Sequence, residues 1–181
     1  MIVAIFGIQR SGKTSLITEL CMSSDKKFIH VKSATKTLEL FHQIYGIDRN
    51  ISTISFREQE LVTSEFKKYL EKQNSLYDIV LCDCHYAYRD LNGEYKKIHK
   101  ESFFDLFDLF IYLDTDIHII NQRMAQTSGE KSHYNFTIQD LKEYKNFEIN
   151  GLKHSVAIKK LIIVSQNNQI EEIKKLLHIK K

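Results

Sequence analysis

Residues 2–14 read IVAIFGIQRSGKT. The apolar run Ile2 to Phe6 passes directly into Gly7-Ile8-Gln9-Arg10-Ser11-Gly12-Lys13-Thr14, which fits the pattern G-x-x-x-x-G-K-[ST] at every fixed position. That pattern demands a buried strand, then a tight turn, then a helix. The context is present: a strand-type run precedes it, and a helical run from Thr14 to Met22 follows. Glycines let such a backbone turn sharply and aim its N–H groups inward at phosphate oxygens. The next helix points the positive end of its dipole at the same phosphates. Lys13 can reach β- and γ-phosphates, and the Thr14 hydroxyl can ligate Mg²⁺. The expected cofactors are therefore ATP and Mg²⁺, with Gly7, Gln9, Arg10, Ser11, Gly12, Lys13, Thr14 and Ser15 as the nucleotide contacts.

The rest of the chain alternates short apolar runs with amphipathic ones. Strands are expected at Lys27 to Val31, Tyr77 to Asp83, Leu109 to Leu113 and Lys159 to Val164. Helical spacing marks 34–45, with Gly46 as its stop, then 56–73, a helix capped by Thr115 or Asp116 and running to Gln126, then 137–151, and a last helix ending near His178. A short helix is expected at 102–107. Residues 85–100 read as a loop beside the site with a turn at Asn92-Gly93, and 127–135 as a polar, flexible segment. That order predicts a three-layer α/β/α fold of the P-loop NTPase type, with a mostly parallel five-stranded sheet. The chain has no proline, which removes the usual helix punctuation and blurs these boundaries.

Length and composition narrow the class. A chain of 181 residues suits one domain with a real core. At 43% hydrophobic and 27% charged it is neither disordered nor fibrous. A formal charge of +3, with Lys and Glu interspersed, carries no strong nucleic-acid signal. No apolar stretch reaches transmembrane length, and the N-terminal run is too short for a signal peptide. Cys21, Cys82 and Cys84 form an odd, sparse set without a second pair for zinc, which points to reduced thiols and a cytoplasmic protein. A regulatory GTPase is disfavoured, because there is no Asn-Lys-x-Asp motif and 83–86 reads DCHY.

The second half of the site is sought at the end of the strand Tyr77 to Asp83. In such sheets ligands bind beyond the carboxyl ends of the strands. Asp83, after four apolar residues, is placed to help Thr14 hold Mg²⁺. His85 lies near the same edge. Arg123, on the helix before the polar segment, is placed to stabilise charge during phosphoryl transfer, together with Lys13. Arg49 and Arg57 flank a stretch that could cover an acceptor, since a bidentate Arg is the natural binder of a monophosphate.

With these residues in place, the chain resembles the P-loop nucleoside monophosphate kinases, most closely the archaeal-type adenylate kinases. The anchors are GIQRSGKT at 7–14, Asp48-Arg49, VLCDCHYAYRDLNGEY at 80–95 and DLFIYLDTDIHIINQRM at 108–124. Asp83-Cys84-His85 stands where that family has Asp-x-His. The resemblance implies Mg²⁺-dependent transfer of the γ-phosphoryl group of ATP to a nucleoside monophosphate. It also implies an acceptor-side insertion over about 33–72 and a lid over about 123–145, opened by Arg123. The family's lid carries further arginines, whereas here AQTSGEKSHYNF offers Lys131 and His133, and the next helix has Lys142, Lys145 and Asn146. Two other readings remain open: a kinase of a nucleoside or other small hydroxyl compound, in which Asp83 would act as a base, and an ATP-binding or ATPase module of a larger assembly. Partners are a nucleotide and a small acceptor, and the oligomeric state is unassigned.

Overall fold

A computed structural model describes residues 1–22, 25–47, 55–90, 92–126, 136–156, 161–165 and 169–178. In chain order the elements are β1 (Ile2–Phe6), α1 (Lys13–Met22), β2 (Phe28–Lys32), α2 (Ser33–Tyr45), α3 (Phe56–Leu76), β3 (Ile79–Asp83), β4 (Ala87–Arg89), β5 (Tyr95–Lys97), α4 (Glu101–Phe104), β6 (Leu109–Asp114), α5 (Ile117–Gln126), α6 (Ile138–Ser155), β7 (Leu161–Ser165) and α7 (Gln169–Leu176).

β1 is buried at all five positions because it is the central strand. It pairs in parallel with β3 on one side and β6 on the other, giving the order β2-β3-β1-β6-β7, with all four pairings parallel. Alternate residues of each strand face opposite layers. Ala4, Phe6, Val80, Cys82, Phe110 and Tyr112 meet Phe66 and Leu70 of α3 and Leu141, Tyr144 and Leu152 of α6. Val3, Ile5, Leu81, Ile111 and Leu113 meet Leu16, Ile17 and Leu20 of α1 and Ile173 of α7. This is the expected three-layer sheet. It brings Gly7, Asp83 and Asp114 to one edge of adjacent strands, which builds the site.

Helix ends follow local chemistry. Ser55 and Glu58 form a capping box for α3, and Thr137 and Asp140 form one for α6. At α5 the cap is Asp116, whose Oδ1 accepts from the N–H of His118 at 2.7 Å; Thr115 is used elsewhere.

Two stretches differ from expectation. Within 85–100, β4 and β5 pair antiparallel around the Asn92-Gly93 turn, where Asp90 Oδ1 accepts from the N–H groups of Asn92 and Glu94 at 2.9 Å each. Strands of three residues are too short to leave a periodic signature. α6 runs on through Gly151 to Ser155, because that glycine is there for space: a Cβ would lie 2.3 Å from Cε1 of Tyr86. Arg49 and the segment 127–135 lie outside the described residues.

Candidate functional site

The turn after β1 is shaped by backbone that side chains resist. Gly7 has φ +150°, and a Cβ there would sit 2.8 Å from Ser11 Oγ and 3.2 Å from the Leu113 carbonyl. Gly12 has φ +99°, and a Cβ would meet Arg123 Nη1 at 3.2 Å. Arg10 itself holds φ +64°, a left-handed conformation uncommon for a non-glycine residue. The loop closes with the Ser11 N–H donating to Ile8 O, and Thr115 Oγ1 ties it to β6 by donating to Ser11 O at 2.8 Å. α1 starts directly after this loop, and the first N–H groups of an α-helix have no partner within the helix.

Lys13 is 5% exposed, and its Nζ donates to Gly7 O at 2.6 Å and Ile8 O at 3.2 Å. Burial lowers its pKa, while Asp83 and Glu148 oppose that shift. Asp83 Oδ1 is 4.0 Å from Lys13 Nζ, and Asp83 Oδ2 accepts from Thr14 Oγ1 at 2.8 Å. The Asp83 main chain is pinned from α2, where Ser33 Oγ donates to its carbonyl at 2.7 Å. Asp83 Oδ1, Ser11 Oγ and His85 Nδ1 are buried without a hydrogen-bond partner among the described residues.

These residues line a cleft of about 880 Å³ that runs from Arg10–Leu16 past Asp83, His85 and Arg123 to Gln169, Glu171 and Lys174 of α7. Arg123 Nη1 donates to Arg10 O at 2.9 Å, so α5 is hooked onto the loop. Burial, with Lys13 and His99 nearby, pushes His85 down to about 3, so its imidazole is neutral at pH 7 and available as a hydrogen-bonding group. Gln9 is exposed outside the lining, and Ser15 is exposed within it. Arg57 is exposed in the first turn of α3, also outside the lining. Cys82 and Cys84 are buried at the end of β3, and burial pushes the Cys84 thiol up to about 12.

The donors fit a hard, oxygen-seeking cation and a polyphosphate. A hydroxyl and a carboxylate with an unpartnered oxygen suit Mg²⁺, which is held by one or two protein oxygens plus phosphates and water. No cluster of three or more His, Cys, Asp or Glu that could cage a metal alone occurs among the described residues.

Three contributors escaped the sequence reading. His30 on β2 has Nε2 3.9 Å from Asp83 Oδ2. Thr115 braces the loop. Glu148 on α6 is fully buried and accepts from the N–H groups of Tyr86 and Ala87 at 3.3 and 3.4 Å. A signal for Glu148 was present: Leu141, Tyr144, Glu148 and Leu152 share one helical stripe, and that stripe is the buried one.

No protein-family model matches the sequence. No curated protein matches it either. Among solved structures the chain is similar to a deoxyadenosine kinase from M. mycoides with dCMP and dCDP bound, at 19% identity and TM-score 0.57, covering 98% of this chain and 99% of that one. It is also similar to a shikimate kinase from Acinetobacter baumannii in complex with shikimate, at 15% identity and TM-score 0.55, covering 98% and 90%. A sugar kinase from Janibacter sp. matches at 15% identity and TM-score 0.53, covering 98% and 94%. The chain shares the three-layer α/β fold of these structures. Among the described residues no helix is long and apolar enough to cross a membrane.

Proposed function

We propose that the chain is an ATP- and Mg²⁺-dependent phosphotransferase whose acceptor is a nucleoside monophosphate. The reading is supported above all by the hydrogen bond from Thr14 to Asp83, 69 residues apart, with Lys13 beside it. That arrangement is what a phosphate-bound magnesium requires: a hydroxyl at the helix start, a carboxylate at a neighbouring strand end and an ammonium within reach. The likeness of 80–95 and 108–124 to archaeal-type adenylate kinases supports the choice of acceptor.

In this reading Gly7, Gln9, Arg10, Ser11, Gly12, Lys13, Thr14 and Ser15 bind the donor nucleotide through backbone N–H groups and hydroxyls. Thr14 and Asp83 hold the metal, which when bound neutralises charge on the phosphate oxygens. Lys13 exchanges its two carbonyl partners for phosphate oxygens. Arg123, already on the loop, adds a second cation where charge spreads in the transition state. Arg49 and Arg57, in the acceptor-side segment 33–72, and His85, just after β3, serve the acceptor, and the lid is 123–145 of a single domain spanning 1–181. A monophosphate acceptor attacks through a phosphate oxygen, so no strong base is needed and Asp83 stays with the metal.

One observation favours a second reading, a nucleoside or other hydroxyl acceptor. Asp83 Oδ1 is a buried carboxylate oxygen at the cleft with no hydrogen-bond partner among the described residues, placed as a proton acceptor would be. ADP release from ATP and Mg²⁺, run across ribo- and deoxynucleoside monophosphates, nucleosides and small alcohols, separates the two. Lys13→Ala is the blank and is expected to lower any stimulated rate on the order of 10²–10³-fold. Stimulation by a monophosphate supports the first reading, and stimulation by a hydroxyl compound alone replaces it with the second. A slow Lys13-dependent rate indifferent to every acceptor overturns both and leaves an ATP-binding module.

A further inference from the structure

α6 grips the chain that leaves β3. Its residues Asp140, Tyr144, Glu148 and Gly151 fall on one face, spaced by four, four and three. Asp140 pairs with Arg89 at 2.9 Å, and Tyr144 Oη donates to Ala87 O at 2.5 Å. Glu148 Oε1 accepts from the N–H groups of Tyr86 and Ala87, and the bare backbone of Gly151 admits the Tyr86 ring. The gripped segment, 86–89, begins directly after Asp83-Cys84-His85.

Glu148 is the costly member of this face. It is fully buried, and no cation lies within ion-pair distance of it among the described residues. Its other oxygen takes Tyr112 Oη of β6 at 3.3 Å. The groups that act on it are Tyr112 from β6, the two N–H groups of the segment and, at longer range, Lys13 from the start of α1. A leucine would pack in that stripe without burying a charge. The carboxylate is therefore tied by hydrogen bonds to the exit of β3 and to β6.

We propose that Glu148 is a positioning residue, which fixes Asp83 and His85 through the Tyr86 and Ala87 N–H groups. Its kinetic consequence rests on the phosphotransferase reading; its grip on the segment does not. Glu148→Gln keeps the shape and a carbonyl acceptor but removes the charge. Glu148→Leu removes both, and Tyr112→Phe removes only the phenol donor.

The test joins two measurements on the full chain. Amide hydrogen exchange at Tyr86 and Ala87 requires no turnover. It is expected to quicken by about tenfold in Glu148→Leu, and by less in Glu148→Gln, since hydrogen bonds to a charged acceptor are about twice as strong. With an acceptor from the panel, kcat of Glu148→Gln is expected to fall by about 10-fold, the usual scale for groups that orient a metal-binding residue, while KM for ATP stays within about twofold. The melting temperature of Glu148→Gln at pH 8 should equal or exceed the wild type, which separates a positioning loss from a folding loss. Unchanged exchange at both amides in every folded variant overturns the proposal, and so does an unchanged kcat in folded Glu148→Gln. If the wild type transfers to no acceptor, the phosphotransferase reading falls alone, and amide exchange still decides the role of Glu148.

Discussion

Asp83 is held at both ends, its carbonyl by Ser33 and its carboxylate by Thr14. Such bracing fixes a ligand before the ligand's partner arrives. Asp83→Asn keeps an oxygen for the Thr14 hydroxyl and removes the charge. If Asp83 serves the metal, the Mg²⁺ concentration for half-maximal rate rises and the rate falls by about 10²-fold or more. If it serves as a base, the rate falls with the Mg²⁺ requirement unchanged. A Mg²⁺ titration of the variant reads the difference. Buried titrating groups near the site also set a pH dependence of stability. Burial raises Glu148 from its ordinary 4.5 to about 7, so the folded state holds more protons between those values. Its contribution is complete below 4.5 and lost as pH rises through about 7, by roughly 3 kcal/mol. His85 and His99 work oppositely, since burial drops both from 6.5 to about 3 and their stability is lost as pH falls below 6.5. Wild-type stability should therefore peak near neutral or slightly acid pH. Glu148→Gln should remove only the loss that Glu148 causes between pH 4.5 and about 7, read as the difference from wild type in urea unfolding between pH 5 and pH 8.

The hairpin β4–β5 and helix α6 act as one unit. Arg89 bonds Gly93 O within the hairpin and Asp140 on α6, and lies over the rings of Tyr95 and Phe136. Tyr95 stacks on Tyr144 at 5.1 Å. Gly151 is the tightest point of this unit. Gly151→Ala gains about 1 kcal/mol of helix propensity. It also forces a methyl against the Tyr86 ring, an overpacking cost of about 1–3 kcal/mol. The steric term wins at 2.3 Å. A net loss of about 1 kcal/mol is expected in urea unfolding, with faster amide exchange at 86–87. A variant as stable as the wild type would mean that the ring has another place to go.

At the scale of the molecule, the parallel sheet places every strand's carboxyl end on one edge, and the cleft lies there. A ligand that binds only the folded state stabilises it by about 2.7 kcal/mol at a hundred times its Kd. ATP with Mg²⁺ should therefore raise the melting temperature by several degrees, and Lys13→Ala should abolish that shift. A wild-type melting curve indifferent to ATP and Mg²⁺ would remove the nucleotide from the proposal altogether.

The amino-acid order alone determined the glycine-bounded loop after β1, the buried strands and most of the helices. Each is written in local terms: glycines at fixed spacing, apolar runs for strands covered on both faces, and a 3.6-residue rhythm for helices. It also placed Asp83 at the right strand end. Short or packed features were not legible in that way. The hairpin strands are too brief for a rhythm, and the helix expected over 137–151 runs on to Ser155, with Tyr86 filling the space at Gly151. Only the tertiary structure decided that His30 approaches Asp83 and that Glu148 reaches across to Tyr86. Those contacts depend on strand order and register, which bring together residues far apart in the chain. A residue's own neighbours carry no trace of them.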